Sequence, residues 1–403
     1  MESITIYKID EIYMKIVGER SVLQDISEEF TFFADNYKFM KKYKSGIWDG
    51  KIRLLNPLNG RLYVGLLHRL FKVCKELDYK VKFDNISDFS LNQLSIEDVK
   101  DFIQNINLPF SPREYQVNSL YDCIQKKRLV VLSPTGSGKS LIIYLASRWY
   151  IDNEPSKKIL IIVPTISLVE QMYSDFDDYS QKDNSFQIDE WANKIHGGVP
   201  KGPMMERIVI STWQSIYKKP AAFFQNFGMV IGDEAHQFKA KSLTSIMEKC
   251  TEAEYRIGTT GTLDGTQTHQ LVLEGLFGPV HKVTTTKDLI DSDQLAKLDI
   301  KMLLLKYKEE HCKEISKLKY QEEIDFIVRY TPRNNFISNL AIDQEGNTLI
   351  LFNYVEKHGK PLHNILKEKL KGKDRKLFYV SGETDVDTRE RVRAITEKEK
   401  NAI

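Results

Sequence analysis

Eight residues, Ser133-Pro134-Thr135-Gly136-Ser137-Gly138-Lys139-Ser140, follow directly on the apolar run Arg128-Leu129-Val130-Val131-Leu132. A buried strand that ends in a glycine-rich turn and hands over to a helix fits few folds, because it calls for parallel strands with helices crossing between them. Gly136 and Gly138 let the backbone curl around phosphate oxygens with no Cβ in the way. Lys139 adds a positive charge, and the helix that follows aims its N-terminus at the same anion. Ser140 supplies a hydroxyl suited to magnesium. The strict phosphate-loop pattern has a glycine where this chain has Ser133, yet the loop N–H groups, the lysine and the hydroxyl are all kept.

A second string complements the first. Met229-Val230-Ile231-Gly232 reads as another buried strand and leads into Asp233-Glu234-Ala235-His236. Asp233 is placed to hold a metal, directly or through water, and Glu234 to take a proton from an attacking water. Each string alone has a plainer reading, a turn or a solvated loop end. Their pairing at two strand ends, where parallel sheets place their ligand crevice, implies a bound nucleoside triphosphate with Mg2+ and its hydrolysis.

The rest of the chain sets bounds. At 403 residues it has room for two or three domains, and its net charge of +2 argues neither for nor against nucleic acid, so the distribution of charge matters more than the total. Cys74, Cys123, Cys250 and Cys312 stand far apart with no metal-type spacing, which predicts a reducing cytoplasm and no structural zinc. No apolar run approaches a signal-peptide core or a membrane span, so the expectation is a soluble cytoplasmic protein without a membrane partner.

Periodicity divides the chain further. Residues 1 to 85 read as a small α+β domain: a hairpin of Lys51–Leu55 and Arg61–Val64 around Asn56–Gly60, a helix from Val64 to Leu77 with Leu66, Leu67, Leu70, Phe71 and Cys74 inward, and a strand from Lys80 to Phe83. Residues 86 to 108 read as a helical linker opened by Ser95-Ile96-Glu97-Asp98, which has capping-box form. From 109 to 285, strand-length and helix-length apolar segments alternate as in a doubly wound parallel sheet. A shorter α/β set fills 286 to 403. Its expected strands are Lys301–Tyr307, Thr348–Asn353 and Lys376–Val380, and its expected helices Tyr320–Val328, Pro361–Lys371 and Val386–Lys398.

With its remaining strings in view, the chain resembles the superfamily-two helicases, and among them the UvsW-like DNA helicases of bacteriophages. Arg113-Glu114-Tyr115-Gln116 matches the family's adenine-reading segment, so by resemblance Arg113 and Gln116 favour ATP. Pro134, Thr135 and Ser137 would join the glycines, Lys139 and Ser140 around the phosphates. Val163-Pro164-Thr165-Ile166-Ser167-Leu168-Val169-Glu170-Gln171 and Ser211-Thr212-Trp213-Gln214-Ser215 resemble the two segments that grip a nucleic-acid backbone, which implies contacts from Pro164, Thr165, Thr212 and Trp213. Thr259-Thr260-Gly261-Thr262 stands where the family couples hydrolysis to strand movement. That implies coupling roles for Thr260 and Thr262, and for His236 as the link back to the nucleotide.

The N-terminal likeness rests on Phe32-Phe33-Ala34-Asp35-Asn36-Tyr37-Lys38-Phe39 and on Ile47-Trp48-Asp49-Gly50-Lys51-Ile52-Arg53-Leu54-Leu55. Here Lys38, Lys41, Lys42, Lys44, Lys51 and Arg53 interleave with Tyr37, Phe39, Tyr43 and Trp48. The cations can neutralise phosphates and the rings can stack on bases, or the rings can be the core of a small domain. The resemblance favours DNA.

Leu349-Ile350-Leu351-Phe352-Asn353-Tyr354 and Tyr379-Val380-Ser381-Gly382 with Arg389 resemble the opening of the helicase second lobe, and the arginine-finger string that follows in the family has no counterpart here. The expected architecture is therefore two tandem RecA-like parallel-sheet lobes, the second incomplete, behind a small α+β DNA-binding domain. The resemblance implies a monomeric, ATP- and Mg2+-dependent helicase or translocase on branched, forked or duplex DNA and R-loops, acting in repair, recombination and fork rescue in the host cytoplasm. Two other readings stand beside it: a nucleotide-responsive DNA clamp with little turnover, and an RNA helicase.

Overall fold

The computed structural model describes residues 2–197, 206–263 and 267–403. They form two compact units, divided between Lys297 and Leu298.

The first unit begins with β1 (Ser3–Lys8), β2 (Tyr13–Val17), β3 (Thr31–Phe33), β4 (Lys51–Arg53), β5 (Arg61–Tyr63) and β6 (Lys80–Phe83). A four-stranded mixed sheet runs β5-β2-β1-β6, and β3 and β4 form a separate antiparallel ribbon. Alternation in β1 and β2 puts Ile4, Ile6, Met14 and Ile16 into one core with Val22 and Ile26 of the helix Arg20–Glu29 and Leu70 and Cys74 of the helix Leu67–Glu76. The expected hairpin is replaced. β4 pairs with β3 and β5 with β2, and only a bridge between Asn56 and Arg61 joins the two arms. Each arm pairs outside the hairpin, β4 with the equally short β3 and β5 with the longer β2, and Leu55 and Leu62 are both fully buried. Phe71 is also corrected. It is 41% exposed and leans on Phe83, because its helix turns Leu70, Val73 and Cys74 to the core instead.

Behind this domain lies a seven-stranded, wholly parallel sheet: β7 (Arg128–Leu132), β8 (Lys158–Val163), β9 (Ala192–Ile195), β10 (Ile208–Thr212), β11 (Phe227–Asp233), β12 (Tyr255–Thr260) and β13 (Val280–Lys282). Its order is β13-β7-β12-β11-β8-β10-β9. Ile159 to Val163 in β8 are all buried, as expected of a central strand covered by helices on both faces. Each such side chain contributes about 1.5–3 kcal/mol by leaving water. The helix Ile96–Asn105 carries the expected capping box, Ser95 with Asp98, and sinks Val99 into the sheet's core, so residues 86–108 pack against the lobe.

The N-terminal domain is fastened to the sheet domain by buried polar contacts. Glu274, 2% exposed, receives the Arg69 guanidinium through both carboxylate oxygens, with His68 Nε2 at 3.0 Å. Burial alone would raise this carboxyl, but the hydrogen bonds from Arg69 and His68 outweigh it and hold it at about 2. Tyr13 and Tyr63, stacked at 4.9 Å, both donate to Glu248, at 2.8 and 2.6 Å, and Arg128 meets Glu11 at 2.5 Å.

The second unit holds the helices Glu309–Ile315, Tyr320–Arg329, Thr331–Asp343, Lys360–Lys369 and Val386–Lys398. Among its described residues none of the three expected strands forms. Lys301–Tyr307 is irregular, and the backbones of Thr348–Asn353 and Lys376–Val380 bond to residues 402 and 403 respectively: Thr348 N donates to Ala402 O at 2.8 Å, and Phe378 N to Ile403 O at 2.8 Å. A strand needs a hydrogen-bonded neighbour along its length. These two segments instead line one apolar cavity of about 600 Å3, with Phe352 stacked on Tyr379.

Candidate nucleotide and nucleic-acid sites

The phosphate loop leaves the C-terminal end of β7, and the helix Lys139–Asn153 starts immediately after it. Gly136 and Gly138 have φ of +81° and +78°. A Cβ on Gly138 would lie 2.4 Å from Gln116 Nε2, the tip of that side chain, and it is the positive φ that demands glycine there. Ser133, the departure from the strict pattern, is fully buried and its hydroxyl donates to Ser137 Oγ at 2.7 Å, tightening the loop from within. Lys139 Nζ reaches back to the carbonyls of Ser133 and Pro134 at 3.3 and 3.4 Å. Ser140 Oγ lies 2.8 Å from Tyr179 Oη.

Gln116 is buried against this loop. Its Nε2 donates to Ser137 O at 3.0 Å and its Oε1 accepts from Arg113 N at 2.8 Å. Tyr115 Oη donates to the same Ser137 carbonyl at 2.7 Å, and Arg113 donates to Tyr115 at 3.0 Å. Tyr179 escapes a sequence reading, since it belongs to no phosphate-binding pattern and is 39 positions from its partner, whereas Tyr115 lies inside the adenine-reading string and only its contact with the loop is unannounced.

β11 delivers the acidic string. Asp233 closes the strand, and its Oδ1 accepts from Thr259 Oγ1 at 2.7 Å. Glu234 adopts φ +52°, ψ +51°, a left-handed conformation that costs a non-glycine residue roughly 1–2 kcal/mol and turns the chain sharply at the strand end. His236 Nδ1 lies 3.2 Å from Glu234 Oε2 and 2.9 Å from Thr260 Oγ1. Thr260 is fully buried. Its carbonyl accepts from Ser133 N at 2.9 Å while its hydroxyl donates to Thr262 O at 3.0 Å. β12, lying between β7 and β11, thus touches both strings at once.

The donors fit a magnesium nucleotide. A glycine cradle, a lysine and a hydroxyl follow β7 and a carboxylate ends β11, with only β12 between the two strands, and hard oxygen donors are what Mg2+ selects. Among the described residues no group of three or more His, Cys, Asp or Glu forms a separate metal cluster, and no helix is long and apolar enough to cross a membrane.

The two further strings sit at the ends of β8 and β10. Thr165 is exposed but caps the helix Ile166–Ser180 by accepting from Leu168 N at 3.3 Å, beside a half-buried Pro164. Thr212 is 3% exposed and its hydroxyl meets Ser215 at 2.9 Å, while Trp213 is half-buried against Tyr217. Thr212 therefore offers solvent very little.

In the N-terminal domain, residues 34–50 form an excursion between β3 and β4 that carries most of the cationic residues of interest. Lys38, Lys41, Lys42, Lys44 and Arg53 are exposed and Lys51 is half-buried. The rings divide into two groups. Tyr37 stacks on Phe33 at 4.6 Å and meets Tyr43 edge-on at 4.8 Å, and Trp48 Nε1 is pinned to Lys51 O at 2.9 Å. Phe39, by contrast, is 75% exposed. Arg53 pairs with Asp49, whose carboxyl is held at about 2 by the Arg53 hydrogen bond and by the Lys51 backbone N–H.

A middle strand that serves a phosphate loop on one side and an Asp-Glu-Ala-His string on the other makes this sheet the first lobe of a superfamily-two helicase, an ATP-hydrolysing machine. Comparison narrows the class. Residues 109–265 match the family "Type III restriction enzyme, res subunit", and residues 4–84 match "DNA helicase UvsW, N-terminal". The ATP-dependent DNA helicase uvsW of Enterobacteria phage T4 is 32% identical over 98% of this chain and 78% of its own length. Two crystal structures of bacteriophage T4 UvsW, each 31% identical, superpose with TM-scores of 0.65, over 100% of this chain and 79% of that one, and 0.64, over 70% and 99%. The chain belongs to the UvsW helicase family.

Proposed function

We propose that the protein is an ATP-dependent DNA helicase or translocase that acts on branched or forked DNA and R-loops in recombination, repair and fork rescue. The observation that carries the motor reading is Thr260, bonded through its backbone to the phosphate loop and through its hydroxyl to His236. Movement at either string reaches the other through one buried residue. The N-terminal cluster of cations carries the DNA reading, because phosphate neutralisation dominates nucleic-acid affinity.

Lys139 and the loop N–H groups would hold the nucleotide's phosphates, and Ser140 and Asp233 would hold Mg2+, which would draw charge from the phosphate oxygens. Glu234 accepts the proton of the attacking water, its carboxylate steered by His236. For Arg113 and Gln116 to read the adenine edge, Gln116 exchanges a bond to Ser137 or Arg113 for one to the base. Pro164, Thr165 and Trp213 lie at strand ends on the same rim of the sheet and guide the nucleic-acid backbone.

Strand displacement tests the substrate. A labelled fork is incubated with protein and ATP, against unlabelled structured RNA as competitor at fixed salt. The reading expects ATP-dependent release that excess RNA leaves intact, and RNA competing better than DNA contradicts it.

A further inference from the structure

The chain leaves the sheet domain beside the phosphate loop. β13 pairs with β7, and just past it Val283 N donates to Leu132 O at 3.0 Å, at the end of the strand that delivers the loop. The helix Thr286–Asp291 follows, opened by a capping box of Thr285 with Asp288. Its far end reverses sharply. Asp293 takes φ +54°, its N–H donates to Ile290 O at 3.0 Å, and Gln294 N and Leu295 N both donate to Leu289 O, at 2.8 and 3.0 Å. This is the left-handed helix stop that glycine usually makes. An aspartate holds it at some cost in backbone energy, so the turn is fixed by its bonds and not by its residue type.

The turn delivers one side chain. From Asp291 to Lys297 every residue is exposed except Leu295, which is half-buried. It lies on the phosphate loop: a Cβ built on Gly136 would stand 2.7 Å from Leu295 Cδ2, so the room that glycine leaves is filled by a leucine methyl. The residue that frees the loop to wrap an anion also admits Leu295 to its backbone. Anion binding draws the loop N–H groups and Lys139 towards one point. A leucine packed on the middle of that loop responds to any such shift.

After Lys297 the chain passes into the second unit. We infer that Leu295 is a positioning residue, a strap that seats the exit segment on Gly136 and lifts when a nucleoside triphosphate fills the loop, so that occupancy of the ATP site is passed to the chain leading into the second unit. The inference rests on the reading of this loop as the ATP site and adds a sensor outside its binding residues. Strap and nucleotide oppose each other, and the opposition is reciprocal.

Amide hydrogen exchange on the full chain, with and without the non-hydrolysable analogue AMP-PNP and Mg2+, reads the strap directly. The amides of Gln294 and Leu295 are expected to exchange about fivefold faster or more with the analogue bound, because their bonds to Leu289 O loosen when Leu295 lifts. Leu295→Ala is expected to exchange at the fast rate with or without the analogue and to bind it about five- to tenfold more tightly. At saturating ATP its basal kcat stays within about twofold, while the DNA-stimulated kcat falls about tenfold. Leu295→Met, which keeps a long apolar side chain, restores the wild-type pattern. Unchanged or slower exchange, in a wild type that binds the analogue, overturns the strap and leaves the ATP site standing. Weaker or unchanged binding by Leu295→Ala, or an equal fall in its basal and stimulated rates, makes Leu295 a prop of the fold and overturns the strap too. A wild type that fails to bind the analogue overturns the reading of the loop as well.

Discussion

His236 Nδ1 lies 2.9 Å from Thr260 Oγ1, and the single hydroxyl proton of Thr260 goes to Thr262 O at 3.0 Å. Thr260 can then only accept from the histidine, so Nδ1 carries a proton and shares it with Glu234 Oε2 at 3.2 Å. The tautomer follows from the hydrogen-bond inventory, and it makes His236 a fixed donor between the carboxylate of Glu234 and the strand beside the phosphate loop.

Thr260→Ala removes the acceptor and leaves His236 to Glu234 alone. Nucleotide affinity is expected to stay within about twofold, while the DNA-stimulated part of turnover falls about 10- to 100-fold, the range of a typical coupling free energy. Thr260→Ser restores it. Turnover rates measured with and without DNA for the three proteins check this, and equal loss of basal and stimulated rates would place Thr260 in the chemistry itself.

The hydrogen bond between the Tyr179 and Ser140 hydroxyls, in which either can donate, holds the serine oxygen that a bound ligand would need. A typical net hydrogen bond is worth about 0.5–1.5 kcal/mol, so Tyr179→Phe is expected to tighten Mg2+-nucleotide binding about two- to tenfold. Titration of a fluorescent ATP analogue at several Mg2+ concentrations reads the effect. Weaker binding would show instead that Tyr179 holds the ligand.

Arg69 and Glu274 fasten the N-terminal domain to the sheet. Arg69→Ala leaves a buried carboxylate with only His68 and Gln270 beside it and is expected to cost about 2–4 kcal/mol, whereas Arg69→Met/Glu274→Leu costs less because no charge is stranded. The pH dependence has a definite sign. Glu274 is held at about 2, below its ordinary 4.5, so its stabilisation is complete above about 4.5 and fades as pH falls towards 2. Denaturant melts between pH 2 and 6 are expected to show this acid loss in the wild type and to lack it in the double variant.

Much of this architecture is legible in the sequence, and the exceptions share a cause. The strands of the central sheet are continuous apolar runs ended by chemically distinctive turns, so Arg128–Leu132 and Met229–Gly232 announce themselves. Pairing is a tertiary property. The run Lys51–Leu55 shows that it is extended but not that β3 is its neighbour, and Thr348–Asn353 shows β-character without a partner along its length. Within the site, the phosphate loop and acidic string follow from local spacing. Tyr179 and the inward turn of Ser133 depend on contacts set by the fold, and the strained backbone of Glu234 leaves no mark on residue type.

Steady-state ATP turnover with and without forked DNA, for the wild type beside Glu234→Gln, tests the motor most directly. The account predicts at least tenfold stimulation by the fork, and a Glu234→Gln protein that binds ATP like the wild type but turns it over about 100-fold or more slowly, as expected when a general base is lost. Turnover indifferent to DNA, or retained by Glu234→Gln, would contradict it.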